Sequence, residues 1–306
     1  IGATGEGCTL TMSGSIQHDG ATTNWVYKRG GGTLVFSNQY NTFKVLSVQA
    51  GTARSAVHSA LWEWCDLVIY GGATYDLADY HLRVALLEGA GTLDLGTGNI
   101  TVFNGYDRTF SGLITGSGVF IKSGDRAPGS GANEIQFLTG NNDYTGGTIL
   151  DNGTLHVISA TNLGSGALTF TNGARLWIAG NTSFDDSRTV TLTGNGRVDV
   201  YTQSVAEICG QISGAGALEV NDGGQLTLTG NNTFGGAVTV NDGRLRITHS
   251  NGLGAVSAGT TVADGAALEL AGGITVPTEA LTLNGAGDNG PAGAFGALRS
   301  VSGHNS

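Results

Sequence analysis

The fold is decided by the stretch Leu138–Leu155, which reads LTGNNDYTGGTILDNGTL, and by its recurrence along the chain. A second copy at Leu228–Leu245 reads LTGNNTFGGAVTVNDGRL, and a degenerate copy occupies Leu34–Thr52. The glycine near the end of each copy recurs at offsets of 102 and then 90 residues, at Gly51, Gly153 and Gly243. Repetition at a nearly constant period indicates units that stack and bury their apolar faces against one another.

The composition indicates many short strands joined by tight turns. The 306 residues include 53 Gly but only 3 Pro, and 40% of them are apolar, which is enough for a packed interior. Between the glycines, apolar and polar residues alternate with the period of two that is typical of strands, as in Gln225–Leu228 and Ala237–Val240. We therefore predict an all-β chain folded as a right-handed parallel β-helix, an elongated β-solenoid with little or no helix. At roughly 20–25 residues per coil it would have about 13 coils.

The predicted domain organisation is one β-solenoid array over residues 1–306. Residues 1–29 form a divergent start, and the repeat copies occupy about 30–120, 121–215 and 216–306. The last stretch, Gly296–Ser306, breaks off where another repeat would begin, so the chain is expected to be a fragment of a longer array.

The repeat also predicts the interior. Each repeat glycine is followed ten residues later by a leucine, at Leu61, Leu163 and Leu253. We expect the following side chains to stack as buried ladders: Leu155, Leu163, Leu168, Leu176, Leu226, Leu228, Val238, Val240, Leu245, Leu253 and Leu268. The doubled asparagines Asn141-Asn142 and Asn231-Asn232 predict ladders at the turns, in which amides bond to their copies in neighbouring coils.

Charge is sparse and acidic. Twenty-four Asp and Glu stand against 14 Lys and Arg, a formal net charge of −10. The densest basic spots are Lys28-Arg29 and Arg244–Arg246, which we interpret as solvated charges at turns and strand edges. Nucleic-acid binding requires clustered bases that neutralise phosphates, so it is not expected. The sequence contains no run of 18 apolar residues that would predict a membrane span.

The cysteines Cys8, Cys65 and Cys209 form neither a metal motif nor a dense disulfide framework. Buried apolar thiols are the favoured interpretation. A Cys8–Cys65 bridge in an oxidising compartment stays open as an alternative. Tandem calcium-binding nonapeptides do not occur either, so no metal site and no cofactor are predicted.

Three groups of polar residues are candidates for catalysis, because polysaccharide-cleaving β-helices need paired carboxylates or an acid beside a base. They are Asp76 with Asp79 and His81, Asp185 with Asp186 and Arg188, and Asp107 with Arg108. Each lies in or beside a predicted turn, where an aspartate usually bonds its own backbone. The six histidines show no paired spacing, and the Gly-x-Ser-x-Gly elbow of a serine hydrolase does not occur. We therefore predict no catalytic residue and no enzymatic activity.

The repeat resembles the passenger-associated repeats of bacterial autotransporter proteins, whose form is Leu-Thr-Gly-Asn-Asn-x-Tyr-x-Gly-Gly followed by Gly-Thr-Leu. Leu138–Leu155 matches throughout, and Leu228–Leu245 matches with Phe234 for Tyr and Arg244 for Thr. The resemblance covers the chain from about Gly30. It implies a β-helical passenger at the bacterial cell surface, attached to the outer membrane or secreted. Passengers of this kind serve in adhesion, aggregation, catalysis or as spacers.

Composition and resemblance together predict a non-catalytic surface passenger that acts as a stalk or adhesin and associates with itself. The expected partners are other copies of the chain, or a glycan or protein on a neighbouring surface. One alternative is the subunit of an extracellular filament, built by head-to-tail stacking of solenoid ends. Another is a polysaccharide-active β-helix enzyme. Bare strand ends would favour the filament, and a cleft of clustered carboxylates would favour the enzyme.

Overall fold

The computed structural model describes residues 1–17, 24–103, 106–124, 135–290, 293–294 and 296–306. Within these ranges the chain is made of strands and turns, with one short 3₁₀ helix at Ala160–Leu163. Apart from one antiparallel pair, Asn289–Gly290 with Gly293–Ala294, the paired strands in these ranges are parallel and stack as a β-solenoid of about 12 turns. This confirms the predicted fold class and the scarcity of helix, whereas the right-handed winding stays a prediction.

Most strands have three to five residues, as expected from glycine-rich turns at short intervals. In chain order they are β1 Thr9–Met12, β2 Trp25–Lys28, β3 Thr33–Phe36, β4 Val45–Val48, β5 Gly51–Ser55, β6 Asp66–Ile69, β7 Ala73–Asp76, β8 Leu82–Val84, β9 Leu86–Gly89, β10 Thr92–Asp94, β11 Ile100–Val102, β12 Arg108–Phe110, β13 Leu113–Thr115, β14 Phe120–Ser123, β15 Ile135–Leu138, β16 Thr148–Asp151 and β17 Thr154–Val157. They continue as β18 Leu168–Thr171, β19 Ala174–Ile178, β20 Thr182–Phe184, β21 Val190–Leu192, β22 Gly196–Val200, β23 Val205–Ile208, β24 Ile212–Gly214, β25 Leu218–Asn221, β26 Gln225–Leu228, β27 Val238–Val240, β28 Arg244–Ile247, β29 Thr260–Val262, β30 Ala267–Ala271, β31 Leu281–Leu283, β32 Asn289–Gly290, β33 Gly293–Ala294 and β34 Leu298–Ser302.

The chain divides into two compact units. The first comprises residues 1–149, 153–155 and 161–166, and the second comprises 150–152, 156–160 and 167–306. In the first unit the strands form three parallel runs: β1-β3-β5-β7-β10-β13, β8-β11-β14 and β2-β4-β6-β9-β12-β15. In the second unit they form β18-β21-β24, β19-β22-β25-β27-β29-β31 and β20-β23-β26-β28-β30-β34. The predicted boundaries of the three repeat copies stay a prediction.

The interior is built from ladders of like apolar side chains. In the second unit, Leu226 pairs in register with Leu245 and Leu245 with Leu268. All eleven side chains predicted to be inside are at most 3% exposed, and so is Leu61, the leucine that follows the first repeat glycine. The prediction of the core is therefore confirmed. It succeeds because alternate residues of a strand face the same side, and the repeat places the same residues in successive coils.

The second asparagine of each repeat joins three coils. Asn232 is buried; its side-chain oxygen accepts the N–H of Ile212 at 2.9 Å, and its Nδ2 donates to the carbonyl of Gly252 at 2.8 Å. Asn142 makes the same two kinds of bond, accepting from Ile114 and donating to the carbonyl of Asn162. The prediction that these amides bond to their own copies is thus wrong for the buried asparagine. Buried backbone groups at each corner need partners, and the amide supplies a donor and an acceptor at once.

The first asparagine of the pair is exposed and behaves as predicted. The Nδ2 of Asn251 donates to the side-chain oxygen of Asn231 at 2.9 Å, so two amides of successive coils bond directly. In the preceding repeat a threonine takes the place of the second amide, since the hydroxyl of Thr161 donates to Asn141 at 2.8 Å. The two asparagines of the motif therefore have different roles, one inside and one outside.

Two of the three lysines are buried, which corrects the interpretation of Lys28 as a solvated charge. Lys28 is fully buried, and its ammonium donates to the carbonyls of Gly30 at 2.6 Å and Ala50 at 2.7 Å. Burial lowers its pKa. Lys122 is also buried and donates to the carbonyls of Phe103 and Ser123. Each lysine thus supplies donors to carbonyl groups at a corner of the solenoid.

The other basic spot is ion-paired. Arg246 binds Glu269 at 2.7 Å and Arg244 binds Asp288 at 3.2 Å.

Among the cysteines, Cys65 is buried, as favoured, and desolvation raises the pKa of its thiol. Cys209 is half-buried and Cys8 is exposed, so the expectation of a buried thiol is wrong for Cys8. All three are free thiols, which leaves no Cys8–Cys65 bridge in this structure.

Candidate functional site

The first predicted carboxylate group is engaged in structural bonds. Asp76, at the end of β7, accepts the N–H of Ala78 at 2.6 Å and pairs with Arg54 at 3.1 Å. Asp79 accepts the hydroxyl of Thr97 at 2.8 Å. These bonds hold a turn and connect neighbouring coils, which is the role that aspartates have in turns.

The third member of that group, His81, stacks on His58 with ring centroids 5.0 Å apart. The Nδ1 of His58 accepts the N–H of His81 at 3.0 Å, and the Nδ1 of His81 accepts the N–H of Asn99 at 3.2 Å. The histidines show no paired spacing in the sequence, yet the fold brings these two together. Their separation of 23 residues is one coil, a spacing that becomes informative once the coil length is known.

The two other groups are engaged in the same way. Asp185 accepts the N–H of Ser187 at 2.7 Å, and this hydrogen bond lowers its pKa. Arg188 is buried with its guanidinium 5.7 Å from the ring centroid of Phe184. Asp107 accepts the N–H of Ile135 at 2.9 Å. In the described part of the chain, no three His, Cys, Asp or Glu side chains converge as a metal site would require. No helix in this part has the length and apolar character that a membrane crossing needs.

A face that sequence reasoning missed lies in the first unit, on the outer side of the run β2-β4-β6-β9-β12. We call it the aromatic face and define it by Trp25, Tyr27, Arg29, Gln49, Tyr70, Glu88, Thr109 and Ser111. Trp25 and Tyr70 are each 50% exposed and Tyr27 is 36% exposed. Large aromatic side chains usually bury most of their surface, so several open rings on one face point to a function outside the fold.

The geometry of this face follows from the strand register. Tyr27 pairs with Ser47, Ser47 with Val68 and Val68 with Glu88, so these four side chains form one column across successive coils. The rings of Trp25 and Tyr27 are nearly parallel, with their planes at 15° and their centroids 5.7 Å apart.

The neighbouring column adds polar and aromatic groups. The guanidinium of Arg29 lies 5.2 Å from the ring centroid of Tyr27, and its Nε donates to the side chain of Gln49 at 3.0 Å. Farther along the face, a shallow pocket of about 340 Å³ is lined by Val68, Tyr70, Gly71, Glu88, Gly89, Ala90, Thr109 and Ser111. The face therefore combines open rings with hydroxyl, amide and carboxylate groups.

The acidic side chains on and beside this face pair with bases within the protein. Lys44 lies 3.5 Å from Asp66, and Arg108 lies 3.1 Å from Glu88. Both pairs are partly exposed. They leave the face close to neutral, although the whole chain carries a formal charge of −10.

A polar cluster in the second unit was also missed. Asp199 is fully buried and is bound by Arg175 and by Arg197, whose Nε lies 2.6 Å from the carboxylate. Beside it, the indole N–H of Trp177 donates to Asp222 at 2.7 Å. Because the carboxylate is already surrounded by two guanidinium groups, this cluster joins the strands β19, β22 and β25 rather than offering a site. The sequence pattern that could have indicated this cluster is Arg175-x-Trp177 followed one coil later by Arg197-x-Asp199. The register places Arg175 beside Arg197 and Trp177 beside Asp199.

His156 packs against the same cluster. Its ring meets that of Trp177 edge-on at 5.0 Å, and it is only 8% exposed. Burial, with the positive charge of Arg175 nearby, lowers its pKa.

Comparison with known proteins agrees with the repeat architecture. The model of the passenger-associated-transport-repeat family matches residues 26–52, 135–157 and 218–247, which overlap the three repeat copies. The chain is 33% identical over 310 residues to the adhesin BmaC autotransporter of Brucella suis biovar 1 (strain 1330). That alignment covers 97% of this chain but 9% of the relative, so the chain spans about a tenth of the length of the relative. No solved structure matches.

Proposed function

This chain is a passenger segment of the bacterial autotransporter type, located at the cell surface or secreted from it, and on that premise we propose that it acts as a non-catalytic adhesin. It holds partners by many weak contacts along its coils, which add up when several are made at once. The relative is named an adhesin, and this supports the proposal.

The observation that carries the proposal is how the polar groups are used. The aspartates that could have formed a catalytic pair bind turns and neighbouring coils, as Asp76 and Asp185 do. Three exposed aromatic rings, in contrast, lie on one outer face, those of Trp25, Tyr27 and Tyr70. A protein that cleaves a polysaccharide would need the opposite arrangement, with carboxylates converging on an open cleft.

The test is adhesion of beads coated with the purified chain to cultured cells and to bacteria. We expect coated beads to attach and excess soluble chain to compete. The variants Asp76→Asn and Asp186→Asn should attach equally well, because neither carboxylate takes part in binding. Failure of the coated beads to attach to any surface would contradict the proposal.

Self-association is part of the same proposal. Copies would associate through amide and hydroxyl groups on the coils rather than through opposite charges, since a net charge of −10 makes identical chains repel. Raising the salt concentration screens that repulsion. Sedimentation velocity should therefore show self-association that is kept or strengthened by salt. Assemblies that dissolve as salt is added would identify ion pairs as the contact and contradict this part of the account.

A filament is the second candidate, and exposed leucines favour it. The side chains of β31 are all exposed, including Leu281 and Leu283, and so is Leu298 of β34. An apolar pocket next to them, of about 200 Å³, is lined by residues such as Leu268, Leu270 and Pro277. Apolar side chains at the end of a run of strands favour stacking of a further strand, which either the next coil of a longer chain or another copy can supply.

Electron micrographs of the purified chain decide between single particles and fibres. If copies stack through these strands, Leu283→Glu should shorten or abolish the fibres, whereas Val205→Glu, at an exposed position on another strand, should not. Single particles at all concentrations would exclude the filament and leave the adhesin.

A further inference from the structure

We propose that the aromatic face of the first unit is a binding site for a neutral glycan chain. This inference rests on the proposed function and adds the ligand class and the residues. It is carried by three observations: the open rings, the polar groups beside them and the balance of charge.

The rings provide flat apolar surfaces at the intervals that the solenoid sets. Trp25 and Tyr27 stand side by side on β2, and Tyr70 follows β6, two coils later in the same run of strands. Neighbouring strands lie about 4.8 Å apart, so the two sets of rings are on the order of 10 Å apart along the face. A ring that is half exposed keeps a free apolar surface, and the C–H faces of a sugar can pack on it. An extended chain of sugars could therefore rest on both sets at once.

The polar groups beside the rings match hydroxyl groups in chemistry. Gln49 lies beside the first rings, and Thr109, Ser111 and Glu88 line the pocket at Tyr70. Amides, hydroxyls and carboxylates can each accept hydrogen bonds, and amides and hydroxyls can also donate. Sugar sites combine few such groups with apolar walls, as ligand pockets generally do.

The charge of the face argues for a neutral occupant. Glu88 is paired with Arg108 and Asp66 with Lys44, so neither sign dominates. A polyanion such as a nucleic acid or an acidic polysaccharide would need several bases clustered together. Arg29 is close to the rings, but its guanidinium lies over Tyr27 and bonds Gln49. A neutral glycan needs no clustered charges in order to bind, so it is the ligand that fits this face.

The experiment measures binding of the intact chain to arrayed oligosaccharides. The probes are neutral chains of glucose, galactose, mannose and N-acetylglucosamine, their counterparts with uronic or sialic acids, and deglycosylated surface proteins. Affinity for the best neutral probe is then measured for the variants Trp25→Ala and Tyr70→Ala. Tyr40→Ala and Tyr201→Ala are matched controls, because these rings are also more than half exposed but lie outside the aromatic face: Tyr40 precedes β4, and Tyr201 follows β22 in the second unit.

We expect the chain to bind neutral chains and each variant of the face to lose at least about tenfold in affinity, as for residues at the centre of an interface. The control variants should bind as the unchanged chain does. The circular dichroism spectrum checks that each variant is folded; since all four rings are exposed, their removal should leave the fold intact. The affinity of Tyr70→Phe for the same neutral probe separates the contribution of the ring from that of the hydroxyl. We expect this variant to keep most of the affinity.

Three outcomes would overturn the inference: binding that the face variants leave unchanged, binding confined to acidic chains, or binding only to deglycosylated protein. If no oligosaccharide binds while coated beads still adhere, the glycan site is wrong and the adhesin stands. If neither oligosaccharides bind nor beads adhere, both are wrong.

Discussion

The backbone of Gly254 lies directly against the ring of Phe234 in the preceding coil. A Cβ at Gly254 would come within 3.0 Å of two ring carbons and 2.6 Å of the carbonyl oxygen of Phe234. The same relationship joins Gly164 to Tyr144 in the repeat before it. The aromatic residue of one coil and the glycine of the next therefore form a single packing unit, which explains why the repeat contains both.

Replacing Gly254 with alanine should destabilise the protein more than the same change at Gly265. Both glycines have positive φ, 79° and 84°, so both substitutions carry the cost of a left-handed alanine. At Gly265 an added Cβ meets nothing within 4 Å, whereas at Gly254 it meets the ring. The difference in the free energy of unfolding, measured by urea denaturation, should be about 1–3 kcal/mol. Equal effects would show that the ring moves away without cost.

The buried asparagine predicts a second stability difference. Asn232→Ala leaves the N–H of Ile212 and the carbonyl of Gly252 without their side-chain partner. An unsatisfied buried polar group costs about 1–3 kcal/mol, so the loss should be about 2–5 kcal/mol. Asn231→Ala removes only an exposed bond and should cost about 0.5 kcal/mol or less. A thermal or urea denaturation series checks both, and similar losses at the two positions would contradict the three-coil role.

Lysine at two positions of the first unit gives a further matched pair. Lys28→Met keeps the length of the side chain but removes the donors to Gly30 and Ala50. We expect a loss of about 1–3 kcal/mol in the free energy of unfolding. Lys44→Met breaks a partly exposed ion pair with Asp66 and one hydrogen bond to the carbonyl of Trp64, and it should cost about 1 kcal/mol or less because the ammonium is exposed to solvent. An increase in stability for Lys28→Met would mean that desolvation of the ammonium outweighs its hydrogen bonds.

The folded protein should lose stability as the pH falls below about 6.5, the ordinary pKa of histidine. The pKa of His156 is lowered in the folded state, so the unfolded chain takes up a proton that the folded chain resists. Stability is therefore fully present above the unfolded pKa and is lost as the pH falls from there toward the lower folded pKa. His156→Gln should flatten this part of the profile of unfolding free energy against pH. The same substitution at the exposed His304 is the control, and an identical flattening there would contradict the assignment.

Much of the fold can be predicted from the repeat because one short motif supplies a corner, a core ladder and a packing unit in turn. Leu155, Leu245 and their equivalents follow from the period of two within strands and from the recurrence between coils. The burial of Lys28 could not be predicted from its residue type, because lysine side chains are mostly exposed. Alternation in Trp25–Lys28 does place it inside with Val26, but the carbonyls that accept from it belong partly to the next coil.

The sites were harder to predict because they depend on the register between coils. The alternation within β2 is enough to predict that Trp25 and Tyr27 point outward. Predicting that they lie on the same face as Tyr70 also requires the lengths of the two coils between them. The stack of His58 on His81 depends in the same way on one coil of 23 residues. The sequence predicts which side chains of a coil point outward, but their contacts depend on the register of the neighbouring coil.

Adhesion and cleavage measured in the same sample separate a non-catalytic adhesin from a polysaccharide-cleaving enzyme. Beads coated with the chain are incubated with the surface they bind, and the release and length of glycans from that surface are followed over time. We expect firm attachment with no release of shortened glycans, both unchanged in Asp76→Asn and Asp186→Asn. Release of shortened glycans by the unchanged chain, abolished by either substitution, would contradict the proposal of a non-catalytic adhesin.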